Sequence, residues 1–289
     1  MTSSAGASSP ERRPGLDELR AIVGRDQTGF SVARACLQIA RAEYPDLDVA
    51  NCLGQLDRLA ATCTRVDPGE GADIRDRLAA INRVLFEEEG FHGPGRDHGS
   101  DPRSSYLNAV LKRRTGLPVM LSVIYLEVAG RVGIDMVGVG MPAHFIVRVA
   151  GVSPALFVDP FHAGAILDED GCGRLLSRVT GGRLELQPEY LMPTPRRRII
   201  ERILHNLKAV YLHGDDLRHA RRIIDAILIL QPENAEEIRD RGVLAYRSLL
   251  FAEALTDLER YLELAPRAQD ATAMRSYVQT LHRLLPSSN

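Results

Sequence analysis

Two residues in the middle of the chain have the types and spacing of a catalytic pair. In "HFIVRVAGVSPALFVD", His144 opens one run of β-type residues and Asp159 closes another. The runs 144–149 and 155–159 flank Gly151–Pro154, which reads as a turn. With that turn centred between Gly151 and Val152, antiparallel pairing sets His144 directly opposite Asp159, on the same face. A carboxylate beside an imidazole on a rigid sheet fixes the ring's orientation and tautomer, which is the base-and-orienter half of a nucleophilic triad. A structural polar pair, or a histidine bonded to backbone, fits the same spacing.

The missing third member is a nucleophile. Residues 116–134, "GLPVMLSVIYLEVAGRVGI", are apolar nearly all round and read as the central buried helix, with Pro118 in its first turn, where a missing N–H costs nothing. This helix contains no cysteine. Ser122 could act with His144, although a serine inside an apolar helix more often bonds the carbonyl four residues back. Cys36, Cys52 and Cys63 sit within helical apolar patterns as small core residues, and no CxxC spacing suggests a zinc site or redox pair. Cys172, which follows both His144 and Asp159, is the remaining nearby thiol. The glycine-rich "FHGPGRDHGSD" holds His92, Asp97, His98 and Asp101, ligand types that read more simply as a solvated loop. No metal or cofactor is expected.

Those residues need a scaffold. From Leu16 to about Glu89 the apolar residues recur at helical spacing, as in Phe30, Ala33, Leu37 and Ala40, with Asp46 or Asp48 as a cap. "SSYLNAVLKRR" reads as a helix capped by Ser104 or Ser105. After Gly133 the period changes to two, and "MVGVG", "HFIVRV" and "LFVDP" read as short strands. The fold class is therefore α+β: a helical layer, residues 16–132, then a small antiparallel sheet, 133–194. From Pro195 onward the chain is helical and repeats. Ala220, Ile224 and Pro232 recur 34 residues later as Ala254, Leu258 and Pro266. That is the tetratricopeptide period, giving hairpins over about 201–233 and 235–267 and a capping helix over 270–286. The "PEYLMPTP" connector is expected to seat these repeats against the core domain.

Composition narrows the partners. A net charge of -2 favours neither nucleic acid nor an acidic membrane surface. The longest apolar run is broken by Glu127 and is too short to span a bilayer. Residues 1–15 lack an apolar h-region and read as a flexible tail, so the cytoplasm is the expected location.

"DPRSSYLNAVLKRRTGLPVMLSVIYLEVAGRVGI", "GVGMPAHFIVRV" and "LFVDPFHAG", in that order, resemble the bacterial SirB-type family of the transglutaminase-like superfamily. The resemblance implies a papain-like core followed by tetratricopeptide repeats, with His144 and Asp159 at the superfamily's histidine and aspartate positions. In active members a cysteine sits at the N-terminal end of the central helix, where helix dipole and histidine favour the thiolate. Here that stretch is Val119-Met120-Leu121-Ser122, and SirB-type proteins commonly lack the cysteine as well. Arg103, Asn108, Arg113 and Arg114 belong to the shared motif and could line a cleft beside His144, or form salt bridges on solvated faces. His162 could extend the polar cluster or be exposed. The expected function is a non-catalytic, protein-binding adaptor or regulator using its cleft and repeat groove. The alternative is a hydrolase or acyl transferase using His144 and Asp159 with Ser122 or another nucleophile.

Overall fold

The computed structural model describes residues 14–25, 29–95 and 101–285, so Asp97 and His98 lie outside the described residues. The helical layer comprises α1 (Pro14–Arg25), α2 (Val32–Arg41), α3 (Val49–Val66) and α4 (Ile74–Asn82). Ser31, Asp48 and Asp73 accept the first free backbone N–H groups of α2, α3 and α4. Arg77 of α4 makes a forked bond to Asp67, past the end of α3, and a second bond to the carbonyl of Val132. Past Asn82 the helix widens into a π-helical stretch, Arg83–Glu88, a departure that apolar periodicity does not announce.

Asp101 caps a short 3₁₀ turn, Pro102–Ser105, before α5 (Leu107–Arg113) and the central helix α6 (Pro118–Arg131). The expected serine cap of α5 is therefore corrected. Ser104 and Ser105 lie buried inside the turn, and Tyr106 occupies the cap position without a side-chain bond. Two other members of the loop motif are accounted for by local bonding. His92 bonds the carbonyl of Gly93 and the hydroxyl of Thr115, and Asp101 pairs with Arg103 and Arg113.

The sheet is antiparallel in the order β1 (Met136–Val139), β2 (Ile146–Val149), β3 (Phe157–Asp159) and β4 (Ala165–Leu167). Its register differs from the sequence expectation. Val147 pairs with Val158 and Arg148 with Phe157, so His144 precedes the paired strand and does not stand opposite Asp159. Pro154 has no N–H to give a ladder, and bonding resumes only where the N–H of Val149 reaches the carbonyl of Leu156. The slip moves each partner by two residues, which leaves the in-and-out alternation intact. β4 and the following α7 (Glu169–Thr180) were not foreseen.

The C-terminal helices are α8 (Arg196–His213), α9 (Leu217–Leu230), α10 (Ala235–Arg247), α11 (Phe251–Leu264) and α12 (Ala271–Leu284). Among the described residues, no helix is long and apolar enough to cross a membrane. One continuous apolar core runs from Leu16 in α1 through Tyr125 in α6 to Ile200, Leu207 and Ile224 in α8 and α9. A second, smaller core lies between the sheet and α7, and a third between α10, α11 and α12. The connector does touch the sheet: Pro193 bridges to Val139, and Thr194 bonds Gly138 and Gly140. The main seat of the repeats is nevertheless the burial of α8 and α9 in the first core. Polar contacts reinforce it. The hydroxyls of Tyr106 and Tyr211 are 3.0 Å apart, and His219 bridges Asp216 to Glu43 of the helical layer. Gly242 shows why a small residue recurs in the hairpins, since a Cβ there would lie 3.0 Å from Asp257 and Leu258.

Candidate functional site

His144 ends a tight turn, Met141–Pro142–Ala143, in which Ala143 has φ 58° and the His144 N–H returns to the carbonyl of Met141. Left-handed backbone costs an alanine about 1 kcal/mol, so the packing around this turn holds the histidine in place. The ring of His144 is buried, and its Nε2 lies 3.0 Å from both carboxylate oxygens of Asp159, itself only 1% exposed. His162 Nδ1 lies 2.6 Å from Asp159 Oδ2, and the Phe161 N–H donates to Oδ1 at 3.0 Å. A carboxylate only accepts, so both facing ring nitrogens carry hydrogen and His144 keeps Nδ1 for any other partner. Burial pushes the Asp159 carboxyl up, but the hydrogen bonds and charge of His144 and His162 together hold it below the usual range. Phe161 meets both imidazoles edge-on, with ring centres 5.6 and 5.2 Å away.

The carboxylate loop is itself anchored. The Gly164 N–H bonds the Asp159 carbonyl, Asn82 Nδ2 donates to the Gly164 carbonyl at 2.8 Å, and Tyr125 of α6 donates to Asn82 Oδ1 at 2.9 Å. Gly164 has φ +73°, and a Cβ there would sit 2.1 Å from Asn82 Oδ1, so only glycine fits. Asn82 and Tyr125 were missed from the sequence. A lone asparagine in the apolar stripe of "LAAINRVLF" and a tyrosine in an otherwise apolar helix were the available signals.

Ser122 is wholly buried, and its hydroxyl donates to the carbonyl of Phe145 at 3.3 Å. The expected bond to the carbonyl four residues back is thus replaced by one that ties α6 to the start of β2. The other expected candidates are dispersed. Arg113 and Arg103 pair with Asp101, and Asn108 has a buried, unpartnered Oδ1, as do the hydroxyls of Ser104 and Ser105. Arg114 ends α5 in left-handed conformation, stacks on Phe91, bonds Glu89, and lines a hollow with Gln55, Arg58 and Thr62. All four cysteines are buried free thiols. Burial, reinforced by nearby carboxylates, pushes Cys172 up to about 12. The structure therefore brings together His144, Asp159 and His162, places Ser122 beside the chain of His144, and sends the arginines elsewhere.

A helical layer with a buried central helix, and an antiparallel sheet carrying a His–Asp pair, followed by helical hairpins, define a transglutaminase-like protein with tetratricopeptide repeats. The chain belongs to that superfamily: residues 50–205 match the family described as "Transglutaminase-like superfamily", and residues 207–279 match "Tetratricopeptide repeat". It is 39% identical over 260 residues to a UPF0162 protein of Xylella fastidiosa (strain Temecula1), covering 89% of this chain and 92% of that one. It is 32% identical over 265 residues to a UPF0162 protein of Pseudomonas aeruginosa, covering 88% and 91%. Protein SirB1 of Salmonella typhimurium is 30% identical over 214 residues, covering 71% of this chain and 76% of its own. No solved structure matches the chain.

Proposed function

We propose that this chain is a non-catalytic transglutaminase-like protein that binds a protein segment through its repeat surface, as an adaptor or regulator. The single observation that carries the non-catalytic half is the hydroxyl of Ser122, buried and committed to the Phe145 carbonyl on a helix that holds no thiol. A hydroxyl ionises several units above a thiol, so a pocket shaped for thiolate chemistry does not transfer to it. That weighs against the alternative of a hydrolase or acyl transferase built on Ser122, His144 and Asp159.

The binding half rests on the repeats. His205, Ala209 and Leu212 are exposed at helical spacing on α8. Farther along, Tyr246 of α10 packs edge-on against Tyr277 of α12 at 4.8 Å. Lys208 of α8 joins Glu237 and Asp240 of α10, and Arg239 joins Asp240 to Asp270 at the start of α12, so charged pairs tie α8, α10 and α12 together. A helical repeat surface of this kind, with exposed side chains along α8, suits an extended or helical protein segment. The reading places the protein in the cytoplasm, where unpaired thiols such as these four persist. The test is in-cell cross-linking with the full chain and with Ala209→Arg, which adds bulk and charge to an exposed position. A discrete protein enriched by the first and lost by the second is expected. Enrichment that survives the substitution would argue against the repeat surface.

A further inference from the structure

We propose that His144, Asp159 and His162 form a binding site for a divalent transition metal, zinc being the best match. The inference stands apart from the protein-binding reading and does not rest on it. His144 Nε2 is 3.0 Å from each Asp159 oxygen, His162 Nδ1 is 2.6 Å from one of them, and the donor atoms all lie within 4.8 Å of one another. Bonds of about 2.0–2.1 Å at tetrahedral or octahedral angles place neighbouring donors roughly 3–3.5 Å apart. One edge of the triangle, at 3.0 Å, already has that length, the second is shorter at 2.6 Å and the third lies within 4.8 Å, so side-chain rotation that widens the Asp159–His162 edge admits an ion.

The donor set selects the ion. Two imidazoles and a carboxylate suit zinc, iron(II), cobalt(II) or nickel(II), whereas magnesium and calcium demand all-oxygen shells. Three protein ligands leave coordination positions open. They open toward His162, whose side chain is 38% exposed, while His144 and Asp159 close the buried side at 3% and 1%. The ligands are oriented in advance, because the Phe161 N–H holds Asp159 Oδ1 and the edge of the Phe161 ring packs both imidazoles. Binding needs no net proton loss from neutral histidines. The His144 proton moves from Nε2 to Nδ1 and that of His162 from Nδ1 to Nε2, which frees the two lone pairs facing the ion.

The experiment uses full-length, chelator-stripped protein titrated with Co2+ and then Zn2+. One equivalent of Co2+ is expected to give visible d–d bands without thiolate charge-transfer absorption, and Zn2+ is expected to displace it. His162→Ala should bind at least tenfold more weakly while still unfolding cooperatively without metal, because that side chain is partly exposed and outside the apolar core. His162→Cys should recover binding and acquire the thiolate band, a result that poor folding cannot imitate. No saturable binding by the natural sequence, equal affinity in His162→Ala, or a thiolate band before any cysteine is introduced would each overturn the assignment.

Discussion

Removing one hydroxyl from the Tyr106–Tyr211 pair tests whether the repeats and the transglutaminase-like core fold as one body. The two rings are 3% and 7% exposed and their hydroxyls are 3.0 Å apart, one beside α5 and the other in the last turn of α8. Phenylalanine preserves the edge contact of residue 106 with Tyr44 and the stacking of residue 211 on His219. Tyr106→Phe or Tyr211→Phe alone leaves a buried hydroxyl without its partner, at a cost of about 1–3 kcal/mol. The double substitution removes both polar groups, so it should cost less than the sum of the singles, with a coupling of roughly 1 kcal/mol. Urea unfolding, followed by circular dichroism and by tyrosine fluorescence, supplies the four free energies. With α8 and α9 inside the main core, both probes should report one transition in every variant. Strict additivity would show that the hydroxyls do not interact, and an early transition that melts only the C-terminal helices would refute the shared core.

Two further outcomes follow from local geometry. Gly164→Ala should destabilise the chain by roughly 2–4 kcal/mol in the same assay, summing a left-handed alanine and the loss of the Asn82 bond. An effect below about 0.5 kcal/mol would mean that Asn82 does not anchor the Asp159 loop. Asp67 is held below the usual carboxylate range, chiefly by the hydrogen bond from Arg77. A carboxyl depressed on folding contributes stability above its unfolded value of about 3.9, and that stability is lost as pH falls through the folded value. Asp67→Asn should therefore be less stable at pH 7 and show a flatter acid limb below about pH 4, and an unchanged limb would contradict the assignment.

The sequence pattern reached the architecture because each element carries its own period. The near-continuous apolar run of 118–131 marks a helix buried over most of its surface, and the 34-residue recurrence of Ala220 and Ile224 marks two hairpins whose small residues are buried. Periodicity also sufficed to single out His144 and Asp159 as a pair on neighbouring runs, and their side chains do meet. It did not supply the register, which depends on where bonding resumes after Pro154. Nor did it supply Asn82 and Tyr125, whose bonds join each other and a left-handed glycine across elements far apart in sequence. Ser122 illustrates the same limit. Its nearest acceptor along the helix was legible, but the acceptor it uses belongs to another element and lies 23 residues away.

The claim that this transglutaminase-like site performs no covalent chemistry is tested most directly by active-site labelling of the native protein, read by peptide mass spectrometry. Thiol-directed and serine-directed electrophiles are applied near pH 7.5 and compared with the urea-unfolded chain. The expected result is no stoichiometric adduct on Ser122 or on any cysteine until the chain unfolds, in keeping with a buried, bonded hydroxyl and with thiols that burial pushes up, Cys63 and Cys172 each to about 12. A stoichiometric adduct on Ser122 in the folded protein, abolished by His144→Ala, would contradict it and identify a working nucleophile.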